Sequence, residues 1–467
     1  MTATANPTRY RCFAVDHTAS TGTSDTKTPS PLETAELTAQ LPPVIGTDLT
    51  VPVAGGGHLS YINADHAASA PALLAVERAV AQATLTYSSV HRGQGWASQV
   101  TSAHYEAARD EIGRFVGARP DDAVVITRNT TDSLNLLASC LPADAHVVVF
   151  SSEHHATLLP WPAERTHRLA VPRSFADAER FLGDALRELP AGAPKLVVLT
   201  GASNVTGELW DLSTLIPLVR AHAGRVVLDA AQLAAHRRID IAALGADWVA
   251  FSGHKLYAPY GAGALVGRAD WLNQAPPYLA GGGATQAVSD QGTSWATGPA
   301  RHEAGSPNVL GAIALATACA TLAAHHDTIA AHEEELADTL HDGLAAIPGV
   351  RTWALFPGAS ERLAVACFTI DTVDSSLVSA ALSAEHGIGV RDGKFCAHLL
   401  VDDLLASEKH STAVRVSLGL GTSLADVQRI LAAVRAVATH GPTLDWTHTA
   451  AGWSAPEAPV AQVAPLW

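Results

Sequence analysis

The chain has 467 residues, of which 48% are hydrophobic and 16% are charged, and it carries a formal net charge of −15. This composition is typical of an ordered globular protein of two or three domains, and it excludes an intrinsically disordered chain. The negative charge disfavours nucleic acid and anionic membranes as partners, because both are bound mainly through lysine and arginine.

The chain begins with a segment of low regularity. Residues 1–45 are rich in Thr, Ser, Ala and Pro and have weak periodicity, so we expect a loosely ordered N-terminal arm. The first twenty residues lack the apolar core of a signal peptide, and no apolar run anywhere reaches membrane-spanning length. We therefore expect a soluble, cytoplasmic protein with no membrane partner.

Residues 46–340 read as a large domain, whose first residues could pack on a smaller one. Its buried strands are predicted from short, β-branched apolar runs, which are typical of strands covered on both faces. These runs are 122–127, 146–151, 195–200, 225–230 and 247–252. Helical stretches such as 211–224 alternate with them, which predicts an α/β fold with a mainly parallel sheet.

The pattern changes after residue 340. Residues 341–440 contain short strand candidates at 363–370, 387–392 and 414–419, interleaved with helical stretches, and they predict a smaller C-terminal α/β domain. Ser423 and Asp426 have the spacing of a helix capping box. Residues 441–467 form a C-terminal tail whose tryptophans indicate that it packs on a surface.

Polar side chains follow the predicted strands at the points where the strands end. In open α/β sheets such residues meet at the carboxyl edge, where ligands bind. Thr130 and Thr131 follow the first strand and are expected to cap a helix, whose N-terminus suits a phosphate. The later strands are followed by an imidazole, an amide, a carboxylate and an amine, on His154, Asn204, Asp229 and Lys255.

Each of these residues alone has an ordinary structural explanation, such as a helix cap or a solvated lysine. Their joint placement favours a cofactor site. A lysine near a phosphate site, with a carboxylate on another strand, fits pyridoxal phosphate, because the amine binds the aldehyde as a Schiff base and the carboxylate stabilises the protonated ring nitrogen. We therefore predict that Lys255 carries pyridoxal 5′-phosphate and that Asp229 pairs with its ring.

Eight short stretches carry these and other polar residues in a pattern that one family shares. They are "VHRG" (90–93), "TTDSLN" (130–135), "EHHATLLPW" (153–161), "SNVTGE" (203–208), "DAAQ" (229–232), "SGHKLYAPYGAGAL" (252–265), "RHEAGSPN" (301–308) and "RDGKFCAH" (391–398). The chain resembles the class V aminotransferase family of fold-type-I pyridoxal phosphate enzymes. Within that family it is most similar to Suf-type cysteine desulfurases and selenocysteine lyases, from about residue 61 to about residue 438.

The resemblance implies the roles of individual residues. Lys255 would be the Schiff-base lysine and proton carrier, and His154 would lie against the cofactor ring and assist proton transfer. The implied cofactor-binding set is Thr130, Thr131, His154, Asn204, Asp229, Gln232, Ser252, His254, Lys255 and Ser306. Ser306 would act across a homodimer interface on the partner's phosphate. The implied substrate-binding set is Arg415 for the carboxylate, with Arg391, Asn204 and His91 nearby.

The resemblance also implies a reactive cysteine. Cys396 matches the persulfide-forming cysteine of the R-x-G-x-x-C pattern, and Arg391 and Lys394 are expected to favour its thiolate. The family commonly has two histidines where this chain has Lys394 and Phe395. The other cysteines are interpreted as unreactive: Cys12, Cys140, Cys319 and Cys367. No CxxC pair occurs, and no metal site is predicted.

The resulting hypothesis is a cysteine desulfurase, which converts L-cysteine to L-alanine and passes sulfur from Cys396 to an acceptor protein or small thiol. One alternative is another class V enzyme acting on a specialised amino acid, namely a carbon–sulfur lyase, selenocysteine lyase, aminotransferase or epimerase. The other alternative is a cofactor-binding protein without catalytic activity. The alternatives differ in whether Cys396 is required and in whether cysteine is a substrate.

Overall fold

The computed structural model describes residues 40–358, 361–450, 452–460 and 464–465. Of the arm expected over residues 1–45, residues 1–39 therefore lie outside the described residues. The strands, in chain order, are β1 Thr50–Val53, β2 Gly57–Ser60, β3 Ile62–Asn63, β4 Asp122–Thr127, β5 His146–Phe150, β6 Thr166–Leu169, β7 Lys195–Thr200, β8 Arg225–Asp229, β9 Trp248–Ser252, β10 Gly263–Arg268, β11 Thr285–Ser289, β12 Gly292–Trp295, β13 Val350–Trp353, β14 Val365–Ile370, β15 Ile388–Gly389, β16 Arg391–Gly393, β17 Ala413–Ser417, β18 Thr447–Thr449 and β19 Gly452–Ser454.

The α-helices lie between these strands, mostly as crossover connections. In chain order they are α1 Leu74–Thr84, α2 Trp96–Phe115, α3 Thr130–Ser139, α4 His155–Leu158, α5 Phe175–Glu188, α6 Leu212–Ala221, α7 Ile241–Leu244, α8 Ala269–Gln274, α9 Val309–Ala324, α10 His326–Ala345, α11 Ser375–His386, α12 His398–Leu404 and α13 Leu424–His440.

A seven-stranded sheet in the order β4-β10-β9-β8-β7-β5-β6 forms the centre of the molecule. Four of its six pairings are parallel, and only β10 runs against both of its neighbours. The α/β class and the mainly parallel sheet are thus confirmed, and all five predicted runs are strands. β10 was not among them, because glycine and alanine make up half of its six residues.

The sheet is covered on both faces, which explains the continuous apolar sequence of its strands. On one face of the sheet, alternate side chains such as Val148 and Val197 belong to the larger core cluster, together with residues of α1, α2, α5, α6 and α9. On the opposite face, side chains such as Val147 and Val198 belong to a second cluster, together with residues of α3 and α8. Full burial of each such side chain contributes roughly 1.5–3 kcal/mol, so the two cores fix the positions of the strand ends.

A second sheet, in the order β13-β14-β17-β16, is antiparallel throughout and packs with α10, α11 and α13. The predicted capping box at the start of α13 is present, with Ser423 and Asp426 bonding to each other's backbone amides. The strand predicted over 387–392 is wrong as a single element. The chain changes partner at Val390, so that β15 pairs with β3 while β16 pairs with β17.

The two sheets are joined through α10. This helix contributes Ile329 to the large core and Leu336, Leu340 and Leu344 to the core of the smaller sheet. The boundary at residue 340 therefore stays a prediction. Residues near the start of the described chain lie against the smaller sheet, because β3 pairs with β15 and Ala54 donates its amide to the carbonyl of Ala384 in α11.

The described part of the C-terminal tail packs on α11 through Trp446 and Trp453, as expected from the sequence. Trp446 donates its indole N–H to Glu385 at 2.9 Å, and Trp453 donates to the hydroxyl of Ser376 at 3.0 Å. β18 and β19 form a hairpin, in which Trp453 pairs with His448. Among the described residues no single helix is long and apolar enough to cross a membrane, and α9 and α10 meet that criterion only together, across a bend of 79°.

A buried carboxylate connects the two sheets and yields a stability prediction. Glu208 is fully buried and accepts hydrogen bonds from the amides of Leu355 and Phe356. Arg362 lies 3.4 Å from the same carboxylate. Glu208→Ala should lower the free energy of unfolding by about 3 kcal/mol, because it leaves buried donors without an acceptor.

Urea unfolding followed by tryptophan fluorescence measures this loss. Glu361→Ala is the matched control, because Glu361 pairs with Arg237 but its side chain is 64% exposed. It should lose at most about 1 kcal/mol. Equal losses in the two variants would contradict a structural role for the buried carboxylate.

Candidate active site

The carboxyl ends of β4, β5, β7, β8 and β9 lie at one edge of the large sheet and open into a cavity of about 220 Å³. The opposite wall comes from β16, β17 and the loop after β16. Twelve of the fourteen residues singled out from the sequence line this cavity. They are Thr130, Thr131, His154, Asn204, Asp229, Gln232, Ser252, His254, Lys255, Arg391, Cys396 and Arg415.

The other two predicted residues lie elsewhere on this chain. His91 is exposed, and its Nε2 lies 2.7 Å from a carboxylate oxygen of Glu106. Ser306 is exposed in the segment that precedes α9. Its expected role concerns the partner's site and stays a prediction.

Hydroxyl groups and a helix N-terminus form one end of the cavity. The hydroxyl of Ser252 lies 2.7 Å from that of Thr130 and accepts the Thr130 amide at 2.8 Å. The expectation that Thr130 and Thr131 cap the helix is wrong. Asn129 is the N-cap, and its side chain accepts the amide of Asp132. Asn129 has the extended backbone of a cap and the helix begins at Thr130, so both threonines fall inside α3, and both line the cavity.

A glycine makes this end of the cavity possible. A Cβ at Gly263 on β10 would lie 2.7 Å from the Cα of Asn129, closer than packed atoms approach. The absence of a side chain there lets the start of α3 sit directly against β10. The first residue of α3, Thr130, thereby lies within hydrogen-bond distance of Ser252, which pairs with Gly263.

A carboxylate lies at the centre of the cavity. Asp229 ends β8 and is buried, with one oxygen accepting the hydroxyl of Thr157 and the other accepting the amide of Ala231 at 2.9 Å. Gln232 follows it and donates its side-chain amide to the carbonyl of Ala67 at 2.7 Å. These bonds hold both side chains in fixed positions.

A second carboxyl group lies behind Asp229. Glu153 is buried, and one of its oxygens accepts the hydroxyl of Thr200 at 2.5 Å. Its other oxygen has no hydrogen-bond partner among the described residues. Burial, with a smaller contribution from the negative charge of Asp229, raises the pKa of Glu153 to about 8, against the opposing effect of the hydrogen bond from Thr200. Glu153 is therefore mainly protonated and neutral at pH 7.

The amine and the imidazole of the cavity are both less basic than usual. Lys255 ends a short 3-10 turn after β9, and burial lowers its pKa from 10.5 to about 8, against the opposing effect of Asp229. Burial, followed by the charge of Lys255, lowers the pKa of His154 to about 3. The Nδ1 of His154 accepts the amide of Ala156 at 3.0 Å, so in the neutral ring the proton is on Nε2.

The thiol of Cys396 is carried by a strained turn at the rim of the cavity. Phe395 and Cys396 have φ angles of 52° and 55°, in the left-handed region that non-glycine residues rarely adopt. Phe395 is buried, whereas Cys396 is exposed. Asn204 donates to the carbonyl of Phe395 at 2.8 Å, and the amide of His155 donates to that of Cys396 at 2.7 Å. These two bonds fix the turn.

The cationic neighbours of this turn differ from the expectation. Lys394 pairs with Asp402 at 2.5 Å, so its charge is largely offset and is not directed at Cys396. Arg391 and Arg415 line the cavity beside the thiol. The guanidinium of Arg415 lies 5.2 Å from the centre of the Phe395 ring, and its Nη1 donates to the carbonyl of Asn204 at 2.9 Å.

Sequence reasoning assigned no role to several residues that build this site. Glu153 and Thr157 lie in the stretch "EHHATLLPW", and Thr200 ends a predicted strand. Their positions were therefore known from the sequence, but the bonds of Thr157 to Asp229 and of Thr200 to Glu153 were not. Asp65 pairs with Arg415 at 2.7 Å across 350 residues of chain. The remaining cysteines agree with the sequence interpretation where described, because Cys140, Cys319 and Cys367 are all buried.

The donor set matches the groups of pyridoxal phosphate. Hydroxyls and a helix N-terminus suit its phosphate, a buried carboxylate suits its ring nitrogen, and an amine of lowered pKa suits its aldehyde. Within the described ranges no group of three or more metal-ligating side chains could hold a metal ion. The residues present therefore fit an organic phosphate cofactor.

Comparison with known proteins supports the same assignment. The family described as aminotransferase class-V matches residues 62–430. A probable cysteine desulfurase of Vibrio cholerae is 34% identical over 354 residues, which are 74% of this chain and 85% of the relative. The cysteine desulfurase CsdA of Escherichia coli K12 is 35% identical over 331 residues, 69% of this chain and 80% of the relative.

Two solved structures share the fold. The crystal structure of Escherichia coli CsdA with an S-sulfonic acid superposes with a TM-score of 0.70 at 30% identity. The match covers 86% of this chain and 97% of the CsdA chain. The apo cysteine desulfurase of Thermococcus onnurineus NA1 has a TM-score of 0.72 at 28% identity and covers 81% and 94%, respectively.

The lowered pKa of Lys255 is testable on the cofactor-free protein. The rate of acetylation of Lys255, measured by peptide mass spectrometry after brief exposure to an amine-selective reagent, should rise with pH around a midpoint near 8, because only the neutral amine reacts. The exposed Lys409 provides an internal reference in the same samples. A midpoint for Lys255 at 10 or above would contradict the effect of burial.

Proposed function

The chain belongs to the class V aminotransferase family, and from that premise we propose that it is a pyridoxal-phosphate-dependent cysteine desulfurase. It would convert L-cysteine to L-alanine and take up the sulfur on Cys396 as a persulfide. One observation carries the proposal: an exposed thiol stands on the rim of a cavity that also holds Lys255, Asp229 and Arg415. An aminotransferase needs the latter three residues but has no use for the thiol.

The cofactor would be held by residues at the sheet edge. Thr130, Thr131, Ser252 and His254 would hold the phosphate, Asp229 would pair with the ring nitrogen, and Lys255 would bind the aldehyde. Bound there, pyridoxal phosphate supplies an electron sink for the negative charge that develops at the substrate's Cα. Thr157 and Ala231 hold Asp229 as an acceptor toward the ring, and the neutral Glu153 adds no further negative charge behind it.

The protein's own groups would move the protons. Lys255 has a pKa of about 8, lowered toward neutrality by burial, so its amine can take a proton from Cα and return it. His154 is neutral, and its fixed Nδ1 bond directs the Nε2 proton away from the backbone. Arg415 would bind the substrate carboxylate, and its buried Nε has no hydrogen-bond partner among the described residues.

Sulfur transfer would take place at Cys396. Its thiolate attacks the sulfur of the bound substrate, an S–S bond forms, and the Cβ–S bond breaks with its electron pair remaining on carbon. One proton then completes the methyl group of alanine, and the thiol hydrogen of cysteine stays on the persulfide. Because Cys396 is exposed, an acceptor protein or a small thiol can reach the persulfide, and a reducing cytoplasm would keep the thiol ready for the next cycle.

We also propose that the active form is a homodimer, in which Ser306 reaches the partner's phosphate site. Large apolar side chains are exposed on segments near Ser306, among them Leu279 at 56% and Val288 at 69%. The amide of Gly305 bonds to the carbonyl of Gly282, so the segments of Ser306 and Leu279 are adjacent. Exposed apolar groups in one area mark a protein interface.

The decisive variant is Cys396→Ser. It should bind pyridoxal phosphate with an unchanged visible spectrum, because Cys396 stands at the rim, but its production of alanine from L-cysteine should fall on the order of a hundredfold or more, as when a nucleophile is removed. Alanine, sulfide and pyruvate are measured together in the presence of a reductant.

Cys140→Ala is the matched control, because burial raises the pKa of the Cys140 thiol to about 11 and keeps it unreactive. It should retain parental turnover. Sulfide with pyruvate at equal rates in the parent and in Cys396→Ser would instead identify an eliminating carbon–sulfur lyase, and the desulfurase proposal would be withdrawn.

A further inference from the structure

Two arginines face each other directly at the proposed carboxylate site. Arg391 on β16 and Arg415 on β17 are register partners in an antiparallel pair. Like charges at directly opposed positions of adjacent strands repel each other and destabilise the pairing. Arg415 is only 2% exposed, whereas the side chain of Arg391 is 47% exposed, so water screens this repulsion from the side of Arg391 only. A counter-charge on the buried side therefore stabilises the pair.

Asp65 supplies that counter-charge. Its Oδ1 accepts the Nη2 of Arg415 at 2.7 Å, and its Oδ2 lies 3.6 Å from the Nη1 of Arg391. One carboxylate thus bridges both guanidinium groups, with a separate oxygen for each. The three side chains together carry two positive charges and one negative charge, a net charge of +1.

The backbone holds Asp65 firmly in this place. Ser417, two residues after Arg415, donates its amide to the carbonyl of Ala64 at 2.8 Å and accepts the amide of His66 at 3.2 Å. The hydroxyl of Ser417 also accepts the amide of Ala67 at 3.0 Å. The chain on both sides of Asp65 is therefore tied to β17, and the carboxylate follows Arg415 in any movement of that strand.

Asp65 does not itself line the cavity, whereas both arginines do. It therefore acts on a ligand through the arginines. A net charge of +1 balances a single carboxylate, and without Asp65 the same two arginines would present +2 and favour a ligand with two carboxylates.

We propose that Asp65 is a specificity-determining residue that limits the carboxylate site to one net positive charge, so that the enzyme favours amino acids with one carboxylate over dicarboxylic ones. The inference rests on the proposed role of Arg415 in binding the substrate carboxylate. Asp65 is a positioning residue in this role, because it contacts the arginines and not the substrate.

The test compares the binding of two simple ligands to the holoenzyme by calorimetry: propionate, with one negative charge, and succinate, with two. Asp65→Asn keeps an acceptor for Arg415 but removes the charge. It should increase the affinity for succinate relative to that for propionate by about tenfold, a modest effect for the removal of a full charge that lies behind the two arginines. An unchanged ratio would overturn the proposal.

Two further variants separate charge from structure. The double variant Asp65→Asn/Arg391→Gln restores a net charge of +1, so the ratio should return to within about threefold of the parent; a purely structural role of Asp65 predicts no such rescue. Asp392→Asn is the matched control, because Asp392 adjoins Arg391 on β16 but bonds to Ser379 instead. It should leave the ratio unchanged.

Arg391→Gln alone keeps the test decisive if Asp65→Asn does not fold. In this variant the charges of Asp65 and Arg415 cancel, so the affinity for propionate should fall at least about tenfold. An affinity within about twofold of the parent would show that Asp65 does not offset the charge of Arg415. Both readouts are independent of turnover. If Asp65→Asn changes the ratio of succinate to propionate affinity but the parent does not desulfurate L-cysteine, only the proposed function is contradicted. If the parent desulfurates L-cysteine but the ratio is unchanged, only this inference is contradicted.

Discussion

The active site depends on the backbone ladder that the segment from Ile62 to Ala67 forms between the two sheets. This segment pairs with β15 and forms hydrogen bonds with the amide, the carbonyl and the hydroxyl of Ser417. The carbonyl of Ala67 also accepts a hydrogen bond from the side-chain amide of Gln232. It thus connects the wall that carries Cys396 and Arg415 with the wall that carries Lys255 and Asp229. A rotation between the sheets would break several buried hydrogen bonds at once, so the catalytic groups keep their relative positions.

Burial also sets the protonation of the site. Lys255 and His154 both lose basicity in the cavity, and Glu153 is mainly protonated at pH 7. His154 and Glu153 are therefore mainly neutral at pH 7, and Lys255 loses its proton as the pH rises through about 8. The carboxylate of Asp229 accepts a hydroxyl and an amide, which fix its position among these groups. A fixed carboxylate beside groups able to exchange protons is what the chemistry at a cofactor ring requires.

The sequence was sufficient for five strands of the large sheet and for twelve of the residues that line the cavity, and insufficient for contacts between distant residues. β-branched runs identified β4, β5, β7, β8 and β9, since a doubly covered strand permits little else, and the polar residues after them converge by the geometry of a parallel sheet. The N-cap of α3 was misplaced because Asn129 and the threonines all have capping propensity, and only the start of the helix decides among them. The pairing of Asp65 with Arg415 has no local signal, because it spans 350 residues and depends on the ladder along β17.

The turn at Cys396 reconciles two requirements that oppose each other. A sulfur acceptor must point into the cavity to meet the substrate, yet it must remain accessible from solvent to pass the sulfur on. Two successive left-handed residues cost roughly 1–3 kcal/mol each. Burial of Phe395 against Arg415, with hydrogen bonds to both carbonyls of the turn, offsets that cost and fixes its direction. The residue before the thiol is therefore an anchor, and a phenylalanine there serves the geometry of Cys396 while contributing no charge to it.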